Sequence, residues 1–184
     1  MAYPFDKKVT TNKKTNTKFS PQFIILHHTG GGTFLWNVKY LSEWTAKASV
    51  HFVIWPDWET AKIGEPTKDC LRHCGQSVRG SLSWMNKYSL WIEVVGYGEY
   101  NIHQLISLTD LTEYLMYHFN IPKENVLRHC DLTWAGSVNK KLRDGKSKSR
   151  KVDIWLDFFG WTTDDFIKWR EQLIPRQYSR YWNI

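Results

Sequence analysis

One short stretch constrains this chain more than any other. Phe23-Ile24-Ile25-Leu26 runs straight into His27-His28-Thr29, and three glycines follow at 30–32. Four apolar residues closed by glycine predict a strand, about 22–28, buried on both faces. Such a strand lies inside a sheet covered by helices and carries its two imidazoles rigidly to the sheet's edge. Sites gather at that edge in proteins of this build.

The rest of the chain supplies the neighbours of that strand. The spacing of Trp36, Tyr40, Leu41 and Trp44 predicts an amphipathic helix over 36–47 with this stripe toward the core. Val50 to Trp55 reads as a second strand closed by Pro56-Asp57, and 60–68 as a short hairpin arm. Ser89 to Gly96 reads as a third strand, whose alternation sets Glu93 on the face of Trp91 and Val95. Ser107 with Asp110 predicts an N-cap for a helix over 108–119, stopped before Pro122. Val126 to His129 is a fourth strand that again ends at a histidine. Thr162 with Asp165 predicts a cap for a last helix, about 163–174. Alternating strands and helices predict an α/β single domain, a central mixed β-sheet flanked by helices. The 184 residues suffice for one such core. Residues 1–20 read as a basic N-terminal arm, 21–175 as the folded domain and 176–184 as an aromatic tail.

Composition narrows the function classes. No apolar run reaches membrane-spanning length, and Met1 to Lys18 is polar and lysine-rich, unlike a secretory signal. The expectation is a protein made in the cytoplasm that meets an outside target only when another system releases it. A net charge of +7 draws the surface toward polyanions. Eleven tryptophans serve both the core and stacking on flat or cyclic ligands. No nucleic-acid motif accompanies this charge, so nucleic acid is not an expected partner. Cys70, Cys74 and Cys130 make an odd count, which argues against a disulfide framework and for reduced thiols.

His27 and His129 sit at two separate strand ends. Zinc takes imidazole together with carboxylate or thiolate, and a catalytic zinc site uses three protein ligands and keeps one position open. Candidates for a third ligand are Asp153, Asp131, Cys130, Cys74 and Asp144. Cys130 adjoins His129 and would point to the opposite face of a shared strand. Asp131 has the right parity but is equally placed to anchor the following loop. Asp153 opens the final apolar segment. Glu93 is costly to bury unpaired, so it is paired, at a strand end, or facing a polar cavity. His51 is either a core residue or a substrate contact, and His73 stands beside Cys74-Gly75 in a loop.

Taken together, these segments resemble the zinc-dependent N-acetylmuramoyl-L-alanine amidases, a family that includes phage-type amidase lysozymes, recycling amidases and peptidoglycan recognition proteins. Phe23 to Gly30 is similar to the family's first strand, which maps His27 to a zinc ligand. Ser49 to Ile54 is similar to its second strand. Ser89 to Gly96 is similar to the strand with the catalytic glutamate, here Glu93. Ile121 to Asp131 is similar to the segment with the second histidine ligand, here His129. Arg150-Lys151-Val152-Asp153 is similar to the segment in which a lysine precedes the third ligand by two residues, here Lys151 and Asp153. His73 matches a groove histidine loosely. The chain departs from the family in having Ile154-Trp155 after Asp153, a long basic loop between His129 and Asp153, and Val50 before His51.

The resemblance implies Zn2+ as cofactor, held by His27, His129 and Asp153. It implies Glu93 and Lys151 as catalytic residues, and His73 and His51 as candidate substrate contacts. The implied reaction is hydrolysis of the amide between N-acetylmuramic acid and L-alanine in peptidoglycan, by a monomeric phage or prophage lysin. Anionic wall polymers are then natural partners of the basic loop. A cytoplasmic muropeptide-recycling amidase and a non-catalytic peptidoglycan-binding protein are the alternatives.

Overall fold

The apolar run that ends in histidines becomes the interior of a five-stranded sheet. The computed structural model describes residues 14–15, 17–43, 48–96, 100–134 and 163–176. Its elements are β1 (Lys14–Thr15), β2 (Phe23–His28), α1 (Phe34–Ser42), β3 (Phe52–Ile54), β4 (Thr60–Lys62), β5 (Cys70–Leu71), β6 (Ser77–Arg79), β7 (Leu82–Ser83), β8 (Ser89–Val94), α2 (Ile102–Phe119), β9 (Val126–Arg128), β10 (Thr133–Trp134) and α3 (Thr163–Glu171). The main sheet has the order β4-β3-β8-β2-β9. β2 pairs parallel with both β8 and β9, β3 pairs parallel with β8, and β4 closes one edge antiparallel. This is the mixed sheet flanked by helices that the alternating pattern predicts.

Because alternate residues of a strand face opposite ways, β2 feeds two cores. Ile24 and Leu26 join Leu108, Leu111 and Leu115 of α2 and Phe166 of α3 on one face. Phe23 and Ile25 join Val38 and Leu41 of α1, Met85 and Trp91 on the other. Burial on both sides is why the run shows no polar alternation until its histidines.

Several local expectations need correction. α2 begins at Ile102, not near 108. Its cap is a reciprocal box in which the Asn101 side chain accepts from Gln104 N (3.0 Å) and the Gln104 side chain accepts from Asn101 N (3.2 Å). Ser107 lies within the helix, in its buried face. α2 ends as expected before Pro122, at Asn120 in the left-handed region (φ 51°). Among the described side chains of α1 the buried ones are Asn37, Val38 and Leu41, while Trp36 is 56% exposed. Its ring lies parallel to Tyr40, with centroids 5.3 Å apart, and shares little of the core. The segment 60–68 is no separate arm: β4 pairs back on β3, and a turn closed by Glu65 N donating to Asp69 Oδ2 (2.8 Å) follows.

The N-terminal arm is tied down where it is described, since β1 pairs antiparallel with β5. The remainder of the arm, Trp44, Asp144 and the rest of the basic loop, Lys151, Asp153, Thr162 and residues 177–184 lie outside the described residues.

Candidate active site

Three adjacent parallel strands end together, and register aligns their last side chains. In the β2–β8 ladder His27 stands opposite Glu93. In the β2–β9 ladder Leu26 stands opposite Arg128, so the next residue, His129, arrives beside His27. The rings of His27 and His129 meet edge to face, with centroids 4.6 Å apart. His129 itself opens a 3-10 turn (His129–Asp131) and is not the last strand residue. The ladder continues past the strand ends through Thr29 N donating to Val94 O and Gly31 N to Gly96 O, both 3.1 Å. Gly30, Gly31 and Gly32 all take positive φ (69°, 100° and 88°) in this turn, a conformation that side chains disfavour. Asn37 of α1 locks the turn by donating to Gly31 O and Thr33 O.

Glu93 is the hub. Its side chain is only 4% exposed, and Oε1 receives His27 Nδ1 at 2.8 Å and His73 Nε2 at 3.0 Å. Burial alone would raise the carboxyl pKa, but the two imidazoles outweigh it and hold Glu93 well below the usual carboxylate range. Glu93 is therefore ionised at neutral pH. Its other oxygen, Oε2, is buried without a hydrogen-bond partner among the described residues. His27 remains partly open, with 21% of its side chain exposed.

Sequence reasoning assigned His73 to a substrate groove and missed its bond to Glu93. The loop after β5 brings it in, and Asn86 braces that loop: Oδ1 accepts from His73 N (3.0 Å) and Cys74 N (3.1 Å). The His73 ring rests on Trp91, with centroids 4.6 Å apart. His73 also borders a cleft of about 550 Å³ that includes Arg72, Gln76, Trp84 and Lys87. No local pattern near Cys70–Gly75 announces the bond, because it depends on the placement of Trp91 and Asn86.

His51 lies in the core beneath the strands. It is fully buried, its Nε2 donates to Asp69 O (2.9 Å), and its Nδ1 accepts from Trp91 N (3.0 Å). Both ring nitrogens thus serve the backbone, and burial lowers its pKa to about 4. Among the alternative third ligands, Asp131 spends both oxygens on Arg128, with contacts at 2.9, 3.0 and 3.2 Å. Its role is to anchor the turn. Cys74 Sγ lies 2.7 Å from Ser77 Oγ inside the loop. None of the three cysteines is joined in a disulfide.

One donor atom each from His27, His73 and Glu93 lies within 4.8 Å of the others, with the His129 ring alongside. Imidazoles with a carboxylate, one of whose oxygens is buried and bare, suit a bound divalent metal. An α/β domain with imidazoles and a carboxylate at neighbouring strand ends has the parts of a hydrolytic metal site. The chain belongs to the N-acetylmuramoyl-L-alanine amidase family, whose model matches residues 16–147. That match stops short of Lys151 and Asp153. No curated protein matches the sequence.

Solved structures share the fold. A selenomethionine derivative of AmpD is 18% identical, with a TM-score of 0.59 over 71% of this chain and 84% of that one. PlyL is 22% identical, with a TM-score of 0.55 over 76% of this chain and 91% of that one. A mutant endolysin from Bacillus subtilis is 22% identical, with a TM-score of 0.55 over 87% of this chain and the whole of that one. No described helix is long and apolar enough to cross a membrane.

Proposed function

We propose that this chain is a peptidoglycan lysin that cuts the amide between the lactyl group of N-acetylmuramic acid and L-alanine, with His27, His129 and Asp153 holding zinc. The observation that carries this reading is the row of His27, Glu93 and His129 at three neighbouring strand ends. The family supplies the bond that is cut, and the endolysin among the similar folds supports the lytic role. Zinc, when bound, supplies Lewis acidity that activates a water near neutral pH and polarises the scissile carbonyl. Glu93 is ionised and accepts the proton of the attacking water at Oε2, the oxygen that no described residue occupies. It then passes that proton to the leaving amine of L-alanine. Lys151 stabilises the developing oxyanion. The positive surface concentrates the protein on anionic wall polymers.

The test is digestion of purified peptidoglycan by the full chain, following new amino termini and new reducing ends separately. Amino termini should appear without reducing ends, and a chelator should abolish their release. Glu93→Gln should lower kcat by about 10²–10⁴-fold with the zinc content unchanged. Release of reducing ends, or full activity after complete metal removal, would overturn the reading. Loss of zinc from Asp153→Ala checks the third ligand.

A further inference from the structure

We propose that His73 is a positioning residue that clamps Glu93 by Oε1 and so presents Oε2 to the reacting water. This rests on the role given to Glu93 above. The clamp is built from both sides. The His73 backbone is fixed by Asn86 Oδ1, and the carbonyl of the preceding Arg72 accepts from Ser49 N at 2.8 Å. Its ring lies against Trp91, and its side chain is 4% exposed. Held this way, Nε2–H reaches Glu93 Oε1 at 3.0 Å. His73 Nδ1 is buried without a partner among the described residues, so Nε2 is the ring nitrogen engaged with the carboxylate.

The division of labour within the carboxylate follows. Oε1 already accepts two N–H groups, which lowers its basicity, whereas Oε2 accepts none among the described residues. If His27 gives Nδ1 to a metal, that nitrogen is withdrawn from Glu93. His73 is then the described donor that keeps the carboxylate in place. A displacement of about 1 Å at such a group costs on the order of 10²-fold in rate, so the clamp matters even though His73 itself moves no proton.

The experiment compares full-length parent, His73→Phe, His73→Gln, Glu93→Gln and the His73→Phe/Glu93→Gln double variant on a soluble muropeptide. Metal content and melting are measured beside kcat and KM. Phe keeps a ring against Trp91 but has no donor, whereas Gln offers an N–H near the position of Nε2. We expect His73→Phe to lose about 10²-fold in kcat, with KM within about twofold and the metal content of the parent. His73→Gln should recover most of the loss. The double variant should be no slower than Glu93→Gln, because the clamp has nothing left to hold. Should Phe fail to fold, His73→Leu carries the same comparison. A raised KM with unchanged kcat would make His73 a substrate contact, loss of metal would make it a ligand, and additive losses would break the link to Glu93. Each of these overturns the proposal. An inactive parent defeats the amidase reading and this proposal with it, whereas an active parent matched by His73→Phe defeats the clamp alone.

Discussion

The buried ring of His51 sets an acid limit on this domain that can be worked out from the structure. Its ordinary pKa of 6.5 falls to about 4, because burial disfavours the charged ring more than the Asp69 carbonyl favours it. Protonation at Nδ1 would also place a donor against the Trp91 N–H, which now donates to that nitrogen at 3.0 Å. Between the two pKa values the unfolded chain binds the proton and the folded chain does not. Stability is therefore unaffected above pH 6.5, falls as the pH drops toward 4, and levels off below. At ~1.4 kcal/mol per pKa unit the full loss is about 3 kcal/mol, with about 2 kcal/mol gone by pH 5. That is a large share of the ~5–15 kcal/mol that holds a typical domain together. The assay is urea unfolding of the parent and His51→Asn from pH 7.5 to pH 4.5. Asn keeps an acceptor for Trp91 N and loses the Asp69 bond, so it should be less stable by about 1–2 kcal/mol at pH 7.5. At pH 5 the parent's loss of about 2 kcal/mol should close or reverse the gap. A gap that stays constant over this range would refute the reasoning.

Three further perturbations test the frame. Gly64→Ala would put a Cβ 2.3 Å from Leu71 Cδ1 and 3.4 Å from His51 Cδ2, and should cost about 1–3 kcal/mol in denaturant unfolding. Asn101→Ala removes the α2 box and a bond to Pro56 O, and should lower the melting point by the equivalent of about 1–2 kcal/mol. The buried Glu113 accepts from Ile174 N (2.9 Å) and pairs with Arg176 (3.2 Å). Glu113→Ala should cost about 1–3 kcal/mol and expose Arg170 to faster tryptic cleavage, read by mass spectrometry.

The legible part of this molecule was the part governed by short-range pattern. Phe23 to His28 announces a doubly buried strand because its residues are uniformly apolar and glycine ends it. The alternation around Glu93 fixes its face correctly. Where two signals competed, the weaker one misled: Ser107 and Asp110 mimic a cap, yet Asn101 and Gln104 stand six residues earlier with the same spacing. Helical period gives a stripe but not its direction, so it points Trp36 inward although Val38 and Leu41 fill that space. His51 and His73 could not be told apart from sequence. One is enclosed by Asp69 and Trp91 and the other swung onto Glu93 by Asn86, and these are contacts between segments far apart in the chain.

The ladder that aligns His27 with Glu93 and His129 has a consequence for how the protein fails. Strand β2 has partners on both sides and a hydrophobic layer on each face, so its amides should exchange with solvent only when the whole domain opens. His27 rides on the last element to come apart. Warming should then hold His27 in register with Glu93 until tertiary structure is lost.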